Sequence, residues 1–245
     1  MTAVFALHGF LGAPQMFDVV AQRLGPRAPL TALPLVGHGA PGPPCADFVA
    51  EVERVATAIG DVHDSPPILL GYSLGGRVAL GLVARHPQRW RAAVVIGAHP
   101  GLDDPAAQAV RCRQDDAWAA RFADDLATTV LSWEAQPLFA SQTRLPAARL
   151  DAQRVWRSTL DGAGVAHALR VLSLGRMPAW TPALARAGVP IVFVAGALDS
   201  KFRAIGAALV ARVPTVRLVV VPDVGHNVAL EAPAAVATLL AEQGA

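Results

Sequence analysis

A glycine-flanked serine between an apolar run and a helix is the feature that most restricts how this chain can fold. Ser73 lies at the centre of Gly71–Gly75, after the apolar run Pro67–Leu70 and before Gly76–Arg85, which has a helical pattern. Glycines on both sides let the backbone take a sharp, strained turn that exposes the hydroxyl above the sheet edge. The following helix directs its first amides and its positive dipole end at the same point. The pattern therefore predicts a strand–turn–helix unit with a reactive serine at a site suited to negative charge.

A serine hydroxyl needs a base to take its proton and a carboxylate to orient that base. Asp199 follows the apolar run Val189–Leu198, and His226 lies in the loop after Val216–Val221. All three residues follow the carboxyl ends of predicted strands, where open α/β sheets bind ligands. We therefore predict a catalytic triad of Ser73, His226 and Asp199. In the alternative, which the residues leave open, Ser73 is only a helix cap and His226 an ordinary loop histidine.

The first strand predicts a second part of the same site. Ala3–Leu7 is an apolar run that breaks directly into the loop His8–Gly12. In a strand–elbow–helix arrangement, the amide after the nucleophile, here Leu74, is joined by an amide of this first loop, for which we choose Phe10. We expect these two amides to form an oxyanion hole. His8 could be mistaken for the base, but its place at the strand end favours a structural role, bracing the loop through its ring nitrogens.

Strand-like runs alternate with helical patterns along the chain, which predicts a mostly parallel sheet of about six strands. With the chain order Ser, Asp, His, this alternation predicts the α/β-hydrolase fold. Between residues 103 and 182 the strand pattern stops and apolar residues recur at helical spacing, for example Trp118, Phe122 and Leu126. We expect a core at 1–102, an inserted helical cap at 103–182 that excludes water from the site, and the rest of the core at 183–245. The predicted strands begin at Ala3, Pro29, Pro67, Ala92, Val189 and Val216.

Composition favours one enzyme domain acting on a small molecule. The 245 residues are 53% hydrophobic, and the formal net charge is +2 from 21 basic and 19 acidic residues, without a basic run that would suggest nucleic acid. No apolar run approaches the length of a membrane span and no signal peptide is recognisable, so we expect a cytoplasmic protein, monomeric or a small homo-oligomer. Cys45 and Cys112 lack histidines at ligand spacing, so we expect no metal and no cofactor.

Arginines distinguish this chain within so large a fold class. Arg77 lies four residues after Ser73, on the same face of the helix, and Arg111 and Arg157 fall in the predicted cap, as does Trp133. Guanidinium groups bind carboxylates through paired hydrogen bonds, so arginines that converge on one cavity would imply a substrate with several carboxylates. The alternative is a solvated helix face, and composition alone does not decide between the two.

Short motifs along nearly the whole chain carry a family resemblance. Three of these motifs are common to many α/β-hydrolases: Leu7–Gly12, Gly71–Arg77 and Gly225–Asn227. Three others are more specific: His99–Leu102, Gln136–Phe139 and Asp199–Phe202. The family pattern also matches at Gly37–Gly39 and Trp133. On these motifs the chain resembles the 2-succinyl-6-hydroxy-2,4-cyclohexadiene-1-carboxylate synthases of menaquinone biosynthesis, the MenH family.

The resemblance implies a lyase that uses the catalytic residues of a hydrolase. The triad would remove a proton from a cyclohexene carboxylate and pyruvate would be eliminated, with Ser73 as the base. The positions that the resemblance places around a small polycarboxylate substrate are Tyr72, Arg77, Arg111, Trp133 and Arg157.

The chain also departs from the family pattern. Glu134 stands where a tyrosine usually follows the cap tryptophan, which adds negative charge near the expected polyanion site. The second loop follows the second predicted strand and contains Gly37–Gly39. Leu33 stands where an acidic residue is usual before this loop, and Val36 stands where a proline is usual, so we expect the loop to have a structural role only. A carboxylesterase or carbon–carbon bond hydrolase would use the same triad and would be favoured by an apolar cavity with its arginines in solvent. A non-catalytic binding protein would usually lack a triad member, and none is missing.

Overall fold

A computed structural model describes residues 2–60 and 65–245 of the chain. Within them, six strands form one sheet: β1 (Val4–Leu7), β2 (Leu30–Leu33), β3 (Ile68–Tyr72), β4 (Ala92–Ile96), β5 (Ile191–Gly196) and β6 (Val216–Val221). The strand order is β2-β1-β3-β4-β5-β6, and every neighbouring pair is parallel. The predicted sheet is therefore confirmed, and no antiparallel hairpin opens it in the part of the chain described.

The strand before the serine is longer than its apolar run predicts. Gly71 and Tyr72 continue β3 because they pair with Val95 and Ile96 of β4. The sheet therefore extends to the residue before Ser73, and the turn begins with no intervening loop.

Helices cover both faces of the sheet because side chains alternate along each strand. On one face, Ala6, Leu70 and Val94 pack with residues of α1 and α11, and on the other, Leu7, Leu69 and others pack with α2, α3 and α9. The helices are α1 (Asp18–Leu24), α2 (Phe48–Ile59), α3 (Leu74–Arg85), α4 (Pro105–Asp124), α5 (Leu126–Glu134), α6 (Ala147–Arg157), α7 (Gly162–Val171), α8 (Thr181–Ala187), α9 (Ser200–Val210), α10 (Val228–Glu231) and α11 (Pro233–Glu242). None of the described helices is both long enough and apolar enough to cross a membrane.

The segment between β4 and β5 is helical, as its spacing predicts. It comprises α4 to α8 and a 3-10 helix at Pro137–Arg144, and α4 packs along α7. One detail of the expectation is wrong: Leu126 does not continue the helix of Trp118 and Phe122. Asp125 ends α4 and caps α5, where its carboxylate accepts a hydrogen bond from the Thr128 amide at 3.0 Å. The division into core and cap at 103 and 182 stays a prediction, and α8 spans its second boundary.

Candidate active site

The turn at Ser73 has the strained geometry that its glycines predict. Ser73 has φ 50° and ψ −106°, in a region that residues with a Cβ rarely adopt. A Cβ on Gly75 would lie 2.1 Å from the carbonyl oxygen of Leu7, so only glycine lets α3 start this close to β1. The consequence is a serine hydroxyl held at the carboxyl edge of the sheet, at the first turn of α3.

Ser73, His226 and Asp199 come together although they are far apart in sequence. The Ser73 Oγ lies 3.2 Å from His226 Nε2, and His226 Nδ1 lies 2.7 Å from Asp199 Oδ2. Asp199 caps α9 through its other oxygen, which accepts a hydrogen bond from the Phe202 amide at 3.1 Å. With Nδ1 donating to the carboxylate, Nε2 is free to accept the serine proton. The arrangement can therefore generate a basic or nucleophilic Ser73.

Phe10 and Leu74 both line the cavity that contains Ser73. The carbonyl of His8 accepts a hydrogen bond from the Gly75 amide at 3.0 Å, which joins the first loop to the elbow. Neither the Phe10 nor the Leu74 amide donates to another described residue, so both can meet a developing negative charge. Their role as an oxyanion hole stays a prediction.

His8 braces the first loop. Its Nδ1 lies 2.8 Å from the Gly9 carbonyl oxygen, and its Nε2 accepts a hydrogen bond from the Leu35 amide at 3.2 Å. Complete burial, followed by the charge of nearby His38, lowers the pKa of His8 to about 3. His8 is therefore neutral and occupied at both nitrogens, as a bracing residue requires.

The five residues that the family resemblance places around a substrate all line one cavity with Ser73 and His226. The cavity has a volume of about 470 Å³. The five are Tyr72, Arg77, Arg111, Trp133 and Arg157.

Arg77 is buried in this wall, with 9% of its surface exposed. Its Nη1 donates to the Leu172 carbonyl oxygen at 2.7 Å. Burial, reinforced by the charge of Arg111 and opposed by Asp115, lowers the pKa of Arg77 to about 9. The side chain therefore carries its charge at neutral pH, in a place where that charge is costly without an anion.

Arg111 is held in place by an acid on its own helix. Its Nε lies 2.9 Å from both carboxylate oxygens of Asp115, one turn further along α4. Asp115 also accepts a hydrogen bond from Ser173 Oγ at 2.7 Å. The pair is half-buried, with 28% of the Arg111 side chain exposed, so the terminal nitrogens of Arg111 are the part that can reach a ligand.

Arg157 is partly neutralised by the acid that departs from the family pattern. Its Nη1 pairs with Glu134, and its Nε donates to the Leu11 carbonyl oxygen at 3.2 Å. Glu134 itself does not line the main cavity but a smaller neighbouring groove, whereas Arg157 borders both. The added negative charge therefore borders the smaller groove and not the cavity that contains Ser73.

Aromatic rings form the rest of the wall. Trp133 packs edge-on to Phe10, with ring centroids 5.0 Å apart, and also to Trp118, at 5.1 Å. The Tyr72 ring lies 5.3 Å from that of His226, and burial raises the pKa of the phenol, so it stays protonated. These rings exclude water from around the reacting groups.

Sequence reasoning did not single out several polar side chains of this cavity, among them His99, Lys201, Gln142 and Gln153. The first two lie inside motifs that carry the resemblance, which was the available signal. Burial, followed by the charge of Lys201, lowers the pKa of His99 to about 4, so it stays neutral among cations. The two glutamines are buried in the helical segment between β4 and β5, where no periodicity marks a residue that faces a cavity.

Comparison with known proteins identifies the class of the fold. The model of the alpha/beta hydrolase family matches residues 4–239. A thermophilic esterase from Thermogutta terrifontis, 22% identical, superposes with a TM-score of 0.80 over 99% of this chain and 89% of its own. By fold and by its serine, histidine and aspartate, the chain is an α/β-hydrolase.

More similar proteins identify a family within the α/β-hydrolases. The 2-succinyl-6-hydroxy-2,4-cyclohexadiene-1-carboxylate synthase of Enterobacter sp. (strain 638) is 36% identical over 242 residues, covering 96% of this chain and 89% of the relative. MenH from S. aureus superposes with a TM-score of 0.93 at 26% identity, over 99% of this chain and 92% of its own. The chain belongs to the 2-succinyl-6-hydroxy-2,4-cyclohexadiene-1-carboxylate synthase family, and the predicted resemblance is confirmed.

Proposed function

We propose that this protein is a carbon–oxygen lyase of the menaquinone pathway. It eliminates pyruvate from 2-succinyl-5-enolpyruvyl-6-hydroxy-3-cyclohexene-1-carboxylate and releases 2-succinyl-6-hydroxy-2,4-cyclohexadiene-1-carboxylate. The observation that carries the proposal is a serine, histidine and aspartate arrangement that opens onto a cavity with several cationic side chains in its wall. Family membership supports the same reaction.

The reaction is an elimination that consumes no water. The hydrogen at C2 of the substrate lies between the succinyl ketone and the ring double bond, and both neighbours make it acidic. Loss of that proton forms the C2–C3 double bond, moves the ring double bond to C4–C5 and breaks the C5–O bond. The leaving group departs as enolpyruvate, gains a proton and becomes pyruvate.

The triad supplies the base for this step. His226 takes the proton of Ser73 while Asp199 stabilises the resulting imidazolium, and Ser73 then removes the C2 proton. Negative charge develops on the ketone oxygen, where the amides of Phe10 and Leu74 stabilise it. The same deprotonated serine could attack an ester, so the triad alone does not separate a lyase from a hydrolase.

The charge of the cavity favours the lyase. The substrate carries three carboxylates, and the basic side chains in the wall are Arg77, Arg111, Arg157 and Lys201. Burial of a guanidinium such as that of Arg77 is costly unless an anion pairs with it, and a neutral ester offers none. A carboxylesterase or carbon–carbon bond hydrolase would be favoured by arginines in solvent, whereas these three border the cavity.

Two assays on the purified protein test the proposal. Pyruvate release from the cyclohexene substrate is followed through lactate dehydrogenase and NADH absorbance, and hydrolysis of p-nitrophenyl acetate is measured beside it. We expect kcat/KM for elimination to exceed that for the ester by a factor on the order of 10³ or more. Rapid ester hydrolysis without pyruvate release would replace the lyase with an esterase. A cytoplasmic location and assembly as a monomer or small homo-oligomer stay predictions.

A further inference from the structure

The first loop holds a leucine in an unfavourable backbone conformation. Leu11 has φ 55°, in the left-handed region that a leucine adopts only under constraint. Its side chain is fully buried with Phe122, Val165 and Leu169, which belong to the cap helices. The conformation of this loop therefore depends on how the cap packs against it.

Hydrogen bonds from α6 and from the second loop hold Leu11 on both sides. Its carbonyl oxygen accepts from Trp156 Nε1 at 3.3 Å and from Arg157 Nε at 3.2 Å. Its amide donates to His38 Nε2 at 3.0 Å. His38 is buried and its pKa is lowered to about 4, so its ring remains a neutral acceptor.

These contacts continue through two peptide groups to the Phe10 amide. In the peptide group that joins Leu11 to Gly12, the carbonyl oxygen accepts the hydrogen bond from the Trp156 indole. The amide of the same peptide group, that of Gly12, donates to the Gly9 carbonyl oxygen at 3.0 Å. That carbonyl belongs to the same peptide group as the Phe10 amide, so orienting one orients the other. Hydrogen-bonded chains of this kind also polarise one another.

We propose that Trp156 is a positioning residue that directs the Phe10 amide into the site through the peptide between Leu11 and Gly12. Trp156 donates to the first loop at Leu11 and also lines the cavity. The proposal rests on the stabilising role of the Phe10 amide, which a lyase and an esterase share. It does not depend on the identity of the substrate.

A pair of tryptophan variants tests the proposal. Trp156→Phe removes the indole donor and keeps an aromatic ring. Trp90→Phe is the matched control, because the buried Trp90 Nε1 donates to the Leu82 carbonyl oxygen at 3.0 Å and Trp90 does not line the cavity. We expect Trp156→Phe to lower kcat about five- to twentyfold, a fraction of the loss on removing an oxyanion donor, with KM within about twofold. Trp90→Phe should leave both constants unchanged and lower only Tm.

The division between kcat and KM distinguishes positioning from a wall contact. If Trp156 served only as wall or as cap packing, Trp156→Phe would change KM or Tm and leave kcat near the wild-type value, and the proposal would fail. Both constants are measured for pyruvate release and for p-nitrophenyl acetate. If no variant releases pyruvate, the proposed lyase fails, while the ester constants still decide the role of Trp156.

Phenylboronic acid provides a readout that needs no turnover. Its adduct with Ser73 places an oxygen at the Phe10 and Leu74 amides, so its inhibition constant should rise in Trp156→Phe in proportion to the loss of kcat. In the unaltered protein the adduct should slow hydrogen exchange at the Trp156 indole, because coupling between two sites is reciprocal, and leave the Trp90 indole unchanged. Equal inhibition constants in the two proteins would overturn the proposal. Unchanged exchange at the Trp156 indole of the unaltered protein would also overturn it, and that measurement does not need a folded variant.

Discussion

Replacing Arg111 by alanine separates the lyase from the esterase. Truncating one partner of a desolvated charge pair costs about 2 to 5 kcal/mol. The Arg111 side chain is 28% exposed, so we expect the lower part of that range, about 2 to 3 kcal/mol. Because each 1.36 kcal/mol is a factor of ten, kcat/KM for pyruvate elimination should fall roughly 30- to 160-fold. Hydrolysis of a neutral ester should change by less than about threefold, since it makes no ion pair with this residue.

Asp115 loses its paired cation in that variant and keeps its hydrogen bond from Ser173, so an unpaired carboxylate could itself weaken binding. The double variant Arg111→Ala/Asp115→Asn removes both charges and should retain the larger part of the loss in elimination. Arg113→Ala is the matched control, since Arg113 is exposed on the same helix and does not line the cavity. Steady-state assays on both substrates give the comparison. Equal losses on the two substrates, or an equal effect of Arg113→Ala, would refute an ion pair between Arg111 and the substrate.

Three further predictions concern the triad, Glu134 and His38. Ser73→Ala and His226→Ala should each lower kcat by a factor on the order of 10³ to 10⁶ with Tm near that of the wild type, and a folded Ser73→Ala with normal turnover would remove Ser73 from the mechanism. Glu134→Gln leaves Arg157 without its anionic partner, so KM for the tricarboxylate should fall about two- to fivefold while KM for p-nitrophenyl acetate stays constant; an unchanged tricarboxylate KM would show that this pair does not influence binding. Burial lowers the pKa of His38 from 6.5 to about 4, so the folded state binds a proton at this ring less readily than the unfolded state. The stability contributed by the neutral ring is therefore complete above about pH 6.5 and is lost as the pH falls towards 4. His38→Gln should therefore reduce the fall in Tm between pH 7.5 and 4.5, and an identical fall in both proteins would contradict this origin.

The strands of the sheet and the sequence positions of Ser73, Asp199 and His226 were predictable because short stretches of sequence mark each of them. Apolar runs mark the strands, and parallel strands bring their carboxyl ends to one edge of the sheet. Ser73, Asp199 and His226 each follow a strand, so the topology is enough to bring them together. The exact end of β3 was not predictable, because Gly71 and Tyr72 are placed in it by pairing with β4 and not by their own propensity.

The cap residues were recognised by resemblance and not by pattern. Arg111 and Arg157 lie on helices whose residue spacing does not say which polar side chains face solvent and which face a cavity. The pairing of Arg157 with Glu134 and the contact of Trp156 with Leu11 join positions far apart in the chain, so no local signal announces them. They depend on the packing of α5 and α6 above the first loop.

The sequence by itself therefore determined the sheet, the elbow at Ser73 and the family, because each is encoded in short segments with a clear period or a strained turn. Only the tertiary structure decided that Glu134 pairs with Arg157 outside the main cavity and that the indole of Trp156 contacts Leu11 in the first loop. The physical reason is that hydrogen bonds and ion pairs act over a few ångströms, and the orientation of the cap helices selects which side chains come within that distance.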